Sequence, residues 1–224
     1  MSRSRPGPDV AVVFALLVAV VWRAGAWFPI PERAAVALDA TLAVLAAVIV
    51  VFAWWRAGIG VRGLGLAPSQ WCGGWRPLAG FTAVGGAVLV AIGVALGSAS
   101  IPFERIAWLL DYLPGIAAQQ LLMQGFFAPR IAMLIAAERT QPRRAATIAV
   151  TSAVFVALHA PNPALMAGVA IGGAFWIWHF LVYRNLLAVL ASHLVLGATA
   201  MAALGPGPML NLRVGPGALE LLLR

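Results

Sequence analysis

The sequence predicts an all-α fold, a polytopic membrane helical bundle of about seven transmembrane helices, from two observations. The chain is 62% hydrophobic and only 10% charged, whereas a soluble domain is usually about half apolar and a quarter charged. Its apolar runs are also long, since a helix needs about 20 mostly apolar residues to cross the hydrocarbon core. These runs leave no room for a separate soluble domain, so we expect residues 1–224 to form a single transmembrane domain.

Seven apolar runs are candidate transmembrane helices. In chain order they are Val10–Phe28, Ala34–Trp55, Leu78–Ser98, Ile106–Ala136, Ala145–Ala160, Ala164–Tyr183 and Leu186–Leu204. The first follows MSRSRPGPD and has signal-peptide features, but Arg23 interrupts it, which favours a retained helix. The fourth is too long for one straight span, and we expect Pro114 and Gly115 to divide it.

Arginines and tryptophans indicate how the helices lie in the membrane. All fifteen basic residues are arginine, and with a cytoplasmic N-terminus ten fall on the cytoplasmic side and four on the outer side. This excess favours a cytoplasmic N-terminus and an outer C-terminus. Trp54, Trp55, Trp71 and Trp75 flank one loop, as an interfacial belt does. We expect a bacterial inner (plasma) membrane protein whose net charge of +8 reflects topology and not nucleic-acid binding.

Several polar side chains fall inside the apolar runs, where each needs a partner or a task. Gln119, Gln120 and Gln124 lie within a sector of roughly 140° on a helix of about 100° per residue. We expect this face to point into the bundle, where amides commonly hydrogen-bond neighbouring helices. Asp39 has no motif around it, and we assign it to packing or to a partner.

Three histidines also fall in these runs. His159 ends the fifth run just before Pro161, and His193 lies in the middle of the seventh. Either could be a hydrogen-bonded packing residue, but two histidines with a glutamine face indicate chemistry or transport. His179, in FWIWHF, is interpreted as interfacial together with Trp176 and Trp178.

Three short motifs in register resemble the CPBP family of intramembrane proteases, which includes CAAX-prenyl proteases and bacteriocin-processing enzymes. The family carries EExxxR, then FxxxH, then HxxxN or a similar pattern. This chain has QQLLMQ, FVALH and HLVLG in that order, with similar text at GFFAPRI, HAPNP, YRNLLAVLASH and GVRGLGLAPSQW. The resemblance spans about Gly60 to Ala200 and implies a CPBP-like core at approximately 60–204, with the first two helices and the Gly/Pro tail as additions.

The chain departs from this pattern where the family places its charges. Gln119 and Gln120 stand in place of the glutamate pair, Gln124 in place of the arginine and Gly197 in place of the asparagine, while the FxxxH motif and His193 match. The resemblance implies hydrolysis by a glutamate and a histidine that activate water. An amide cannot accept a proton as a carboxylate does.

The resemblance implies site residues that are carried over with these changes. The catalytic candidates are His159, His193, Gln119 and Gln120, and the pocket candidates are Gln124, Phe155, Gly197 and Asp111. Asp111 is a possible substitute carboxylate or simply a helix-end residue. Ser192 beside His193 does not form a catalytic pair with it, because adjacent helix residues do not face each other.

Three functions therefore stay open. The first is a CPBP-like peptidase that processes membrane-anchored or exported proteins, with His159 or His193 as base and amides holding water and the oxyanion. The second is an inactive relative that binds a membrane protein segment, and the third is a small transporter or assembly subunit. We expect no cofactor, and no metal, because two histidines with amides are poor ligands and the single Cys72 excludes a cysteine cluster. The expected partners are a membrane-anchored protein or peptide substrate and the lipid bilayer.

Overall fold

The computed structural model of the protein describes residues 41, 44–45, 47–52, 54–55, 58–99, 106–135, 141–205, 207–210 and 214–223. Every regular element in these stretches is a helix, as the composition predicts. Following a helical stretch within 41–55, the elements are a 3₁₀ turn Pro68–Gln70, α1 Trp75–Ala95, α2 Ile106–Gln120, a π-helix Leu121–Phe127, α3 Ala128–Leu134, α4 Gln141–Ala157, α5 Pro163–Tyr183, α6 Leu186–Leu204 and α7 Pro216–Leu222.

Three of the described helices, α1, α5 and α6, are long and apolar enough to cross a membrane. Each has 19 to 21 residues, about 30 Å at 1.5 Å per residue. Helix α4 is shorter, with an apolar stretch Arg144–Ala157. These apolar helices indicate an integral membrane protein. The first predicted run lies outside the described residues and the second only partly inside them, so the count of seven stays a prediction.

The fourth predicted run differs from its expected division. Pro114 lies inside α2, which continues without a break from Ile106 to Gln120. Proline has no backbone N–H, so one carbonyl of the helix loses its hydrogen-bond donor. Membrane helices tolerate this loss where neighbouring groups donate to that carbonyl instead. The irregularity comes seven residues later, where LLMQGFF forms a π-helix and the Ala128 amide bonds Met123 O, five residues back. The prediction that Pro114 and Gly115 divide the run is therefore wrong.

Helix α6 is central to the bundle and contacts α1, α2 and α5. Its closest neighbour is α1, since a Cβ at Gly93 would collide with the backbone carbonyl of Ala203. Only glycine permits this approach, and Ser98 Oγ adds a hydrogen bond of 2.9 Å to Ala203 O. The close contact of α1 with α6 fixes one side of the helix that carries His193.

The loop before α1 covers the turn between α5 and α6. Leu186 N donates to Gly65 O at 3.0 Å, and Arg184 Nη2 donates to Gly63 O at 2.8 Å. Asn185 Nδ2 lies 2.9 Å from both Trp71 O and Gly73 O, while its Oδ1 accepts from Ala188 N and caps α6. Through these bonds the polar groups of GVRGLGLAPSQW and of YRN are hydrogen-bond partners of each other.

Candidate active site

The two glutamines Gln120 and Gln124 and the histidine His193 form one continuous hydrogen-bonded chain. Gln124 Nε2 donates to Gln120 Oε1 at 2.8 Å. Gln120 Nε2 lies 2.7 Å from His193 Nδ1. Both glutamines have no exposed surface, and His193 is 5% exposed. The structure therefore joins three predicted site residues from two separate motifs in one hydrogen-bonded chain, at the junction of α2, the π-helix and α6.

His159 lies at the end of α4 and contacts the same aromatic ring as His193. Its Nδ1 is 2.8 Å from Phe155 O, one turn earlier. The Phe155 ring centroid lies 4.9 Å from that of His159 and 6.3 Å from that of His193, with edge contacts in both cases. Phe155 thus links the two histidines, and the FxxxH spacing places its ring beside the imidazole that follows it.

A glycine on α5 makes room for the Phe155 ring. A Cβ at Gly173 would lie 2.8 Å from Phe155 Cδ1, inside normal contact distance. Phe155 is 1% exposed and so has no open space to move into. Gly173 therefore supplies the space that the Phe155 ring occupies beside the two histidines.

Trp176 was predicted to be interfacial, and that prediction is wrong. Its side chain is 3% exposed and stacks on His193 with ring centroids 4.3 Å apart and planes at 27°. Its indole Nε1 donates to Ser192 Oγ at 3.0 Å, and Ser192 Oγ is 2.7 Å from Thr82 Oγ1. A signal was present in the sequence, because Trp176 follows Gly172 and Gly173 by one turn and so shares their inward face.

His179, the third histidine, is also buried and not interfacial, with no exposed surface. Its Nε2 lies 2.9 Å from Gly74 O in the loop before α1. A carbonyl oxygen only accepts, so this nitrogen carries the proton. Its Nδ1 has no hydrogen-bond partner among the described residues. His179 therefore anchors the loop before α1.

The other predicted residues have no described bond to this network. Gln119 precedes Gln120, the last residue of α2, and is half-buried, because adjacent helix residues point in different directions. Gly197 is half-buried on α6, one turn after His193. Asp111 falls on α2, and its side chain lies outside the described residues. The two glutamines one turn apart meet as expected, and Gln119 does not join them.

Asn162 is a polar residue of this region that the candidate list omits. It has no exposed surface, its Oδ1 accepts from Leu165 N at 3.1 Å, and its Nδ2 donates to Met209 O at 2.9 Å. Gly215 N also donates to Ala160 O at 3.0 Å. The tail after α6 thus holds the loop that follows His159. Asn before Pro163 is a typical helix N-terminus and was the available signal.

A groove of about 500 Å³ runs between α1 and α6, and none of the predicted site residues lines it. Ser192 and Thr82 contribute hydroxyls to its lining, and Ser192 also accepts the indole hydrogen bond of Trp176. Ser192 thus belongs both to the groove lining and to the hydrogen bond of Trp176, whose ring stacks on His193. Among the described residues, no three His, Cys, Asp or Glu side chains come together as a metal centre requires.

The arrangement can both accept and donate protons at buried positions. Because Nδ1 of His159 faces a carbonyl, it carries a proton and Nε2 is the basic nitrogen of the neutral ring. Because Nδ1 of His193 faces an amide nitrogen, it accepts, and Nε2 carries the proton. The amide orientation behind this second assignment follows from the hydrogen-bond network. The two neutral rings thus carry their protons on different nitrogens.

Comparison with known proteins adds a family to this geometry. Residues 101–199 match the family model described as type II CAAX prenyl endopeptidase Rce1-like. No curated protein and no solved structure matches the chain. The matched stretch contains all three motifs, from Gln119 to Gly197. This match over residues 101–199 supports the assignment to the CPBP (CAAX protease) family that the three motifs predicted.

Proposed function

We propose that the protein is a CPBP-like intramembrane peptidase that cleaves membrane-anchored or exported proteins without the glutamate pair of its family. The observation that carries the proposal is the pairing of two buried histidines of opposite hydrogen-bonding character around one aromatic ring. His159 offers a basic nitrogen and His193 an N–H, and both contact Phe155. Peptide hydrolysis needs both functions within one water-restricted site.

His159 acts as the general base in this proposal. Its Nε2 takes a proton from a water molecule while the water oxygen attacks the carbonyl carbon of the scissile peptide bond. The resulting imidazolium returns the proton to the amine nitrogen as the carbon–nitrogen bond breaks. The Phe155 carbonyl, which accepts from Nδ1 at 2.8 Å, orients the ring and favours the charged form that the first transfer creates.

His193 is the electrophilic partner, because its protonated nitrogen is the one that does not face Gln120. Trp176 stacks on the imidazole face and limits its rotation. Gln120 and Gln124 are bonded to each other and to His193, so they orient the ring without taking a proton. Preorganised donors of this kind typically contribute two to three orders of magnitude in rate.

A second function is favoured by the same amides. Gln120 and Gln124 are fully buried and neutral, and a site that kept its packing but lost its proton acceptors would still bind a membrane segment. In that case the protein is an inactive family member that binds a membrane protein segment at the same site. The two functions differ in whether His159 is needed as a base.

Comparison of protein termini in membranes tests the proposal. Mass spectrometry would compare the parent strain, a deletion strain, and the deletion strain carrying wild-type protein, His159→Asn or His179→Gln. Asn at position 159 has a side-chain amide that can still donate to Phe155 O, but it has no basic nitrogen. His179→Gln is the matched control, because an amide can replace the bond to Gly74 O at a histidine outside the site.

The peptidase proposal expects termini that disappear in the deletion strain and return with wild type and His179→Gln but not with His159→Asn, at equal protein level. Return of those termini with His159→Asn would contradict a base role and favour binding. Termini that are unchanged between the parent and deletion strains would contradict processing altogether.

A further inference from the structure

We infer that Gln124 and Gln120 are positioning residues that hold His193 in the tautomer with its proton on Nε2, and that Gln124 acts on the ring through Gln120. This deepens the proposed function, since it assigns a task to the two amides that replace the charges of the family. The inference rests on the direction of the hydrogen bonds in the chain from Gln124 to His193.

The contact between Gln120 and His193 determines where the proton lies. Gln120 Nε2 is 2.7 Å from His193 Nδ1. An amide nitrogen only donates hydrogen bonds, so Nδ1 must be the unprotonated nitrogen. The neutral ring then carries its proton on Nε2. If Gln120 were turned over, its oxygen would face Nδ1 and the proton would have to move there.

Gln124 decides which way Gln120 is turned. Its Nε2 donates to Gln120 Oε1 at 2.8 Å, which keeps the Gln120 nitrogen directed at His193. Its own Oε1 is buried and has no partner among the described residues. If both amides were reversed, the Gln124 nitrogen and its two hydrogens would occupy that place instead. Buried N–H groups without acceptors are rarer in proteins than under-satisfied carbonyls, so the observed direction is the favoured one.

His159 is held in the opposite tautomer by a different partner. Its Nδ1 faces the Phe155 carbonyl, which only accepts. The neutral rings therefore carry their protons on Nδ1 in His159 and on Nε2 in His193. The His159 tautomer is set by a backbone carbonyl, which a side-chain substitution does not remove. The His193 tautomer depends on the side chains of Gln120 and Gln124, and a single substitution can redirect them.

Nitrogen NMR of the imidazole rings tests the inference directly. The chain has three histidines, so the full-length protein labelled with ¹⁵N-histidine in micelles gives three ring systems, assigned by replacing each histidine in turn. Long-range ¹H–¹⁵N correlations distinguish the two tautomers. The expected result at neutral pH is Nδ1–H for His159 and Nε2–H for His193 and His179. Nδ1–H at His193, or a charged ring there, would overturn the inference.

Gln124→Glu tests the action through Gln120. An ionised carboxylate at position 124 only accepts, so Gln120 must turn its nitrogen towards it and its oxygen towards His193. Raising the pH should ionise the new carboxyl group, which the appearance of its infrared carboxylate band reports. The ¹⁵N shifts of His193 should then exchange, so that Nδ1 shows the protonated value and Nε2 the unprotonated value. Gln119→Glu is the matched control: it adds the same group to the adjacent residue outside the chain, and His193 should keep Nε2–H.

Exchange in Gln124→Glu but not in Gln119→Glu supports a directed chain. Retention of Nε2–H in Gln124→Glu after the carboxylate band has appeared would contradict it. If that variant does not accumulate, the wild-type spectrum still decides the tautomer of His193. The NMR readout needs no substrate, so the tautomer assignment can stand even if the terminus comparison finds no processing.

Discussion

Gly173→Ala should destabilise the protein through one contact in the site. The added Cβ would lie 2.8 Å from Phe155 Cδ1 and 3.5 Å from Cε1, and the first distance requires a movement of the ring or of α5. Phe155 is 1% exposed, so the ring has no solvent to move into. Extra methylene volume in a packed interior typically costs about 1–3 kcal/mol. Because the same ring contacts His159 and His193, processing should fall as well.

Gly168→Ala on the same helix is the matched control. Nothing lies within 4 Å of a Cβ at that position, so the substitution should only remove the conformational freedom of glycine. Alanine is favoured over glycine inside a helix by about 0.5–1 kcal/mol. Both variants gain this helix preference, so it cancels between them, and they should differ in unfolding free energy by the packing cost of about 1–3 kcal/mol.

Equilibrium unfolding of the purified protein in micelles, followed by helical circular dichroism, measures this difference. Combining Gly173→Ala with Phe155→Leu removes the ring carbons that the new Cβ meets, so the pair should lose less stability than the sum of the single variants. Equal unfolding free energies for Gly173→Ala and Gly168→Ala would refute the reasoning, because the α4–α5 contact would then tolerate a methyl group.

Three further predictions follow from other contacts. Asn162→Ala removes both the acceptor for Leu165 N and the donor to Met209 O, so thermal unfolding should show a loss of stability of about 1–3 kcal/mol. Ser192→Ala leaves the indole N–H of Trp176 without its acceptor and should cost about 1–3 kcal/mol; an unchanged midpoint would mean that another acceptor replaces the hydroxyl. A reporter inserted after Asn162 should be active on the outer side of the membrane, as the arginine distribution predicts, and cytoplasmic activity would reverse the topology.

The sequence predicted those features that depend on amino-acid composition and on the spacing of residues along a helix. Helix α6 has the predicted bounds Leu186–Leu204, and α5 starts one residue earlier than predicted, because long apolar runs bounded by Asn, Pro and Gly define their own ends. The meeting of Gln120 with Gln124 was also predictable, since one helical turn separates them. Its partner His193 comes from a distant motif and was placed in the site only by the family resemblance.

The remaining features depend on contacts that a single sequence does not encode locally. The π-helix in LLMQGFF has no composition signal, because its register is set by packing, including the 3.0 Å bond from Trp54 Nε1 to Gly125 O. Trp176 was assigned to the membrane interface since tryptophan is common there. Its burial depends on Ser192 and Thr82 of two other helices, whose hydroxyls accept and relay the indole hydrogen bond.

The bonds that hold the loop after His159 set a limit on how the protein can be divided. Met209 O and Gly215 N, which bond Asn162 and Ala160, both lie beyond residue 199, where the family match ends. A fragment trimmed to the matched residues would keep every motif and still lose the main-chain partners of the loop beside His159. The smallest unit that keeps this loop in place therefore extends past the matched segment, into a glycine- and proline-rich tail that would ordinarily be discarded as a linker.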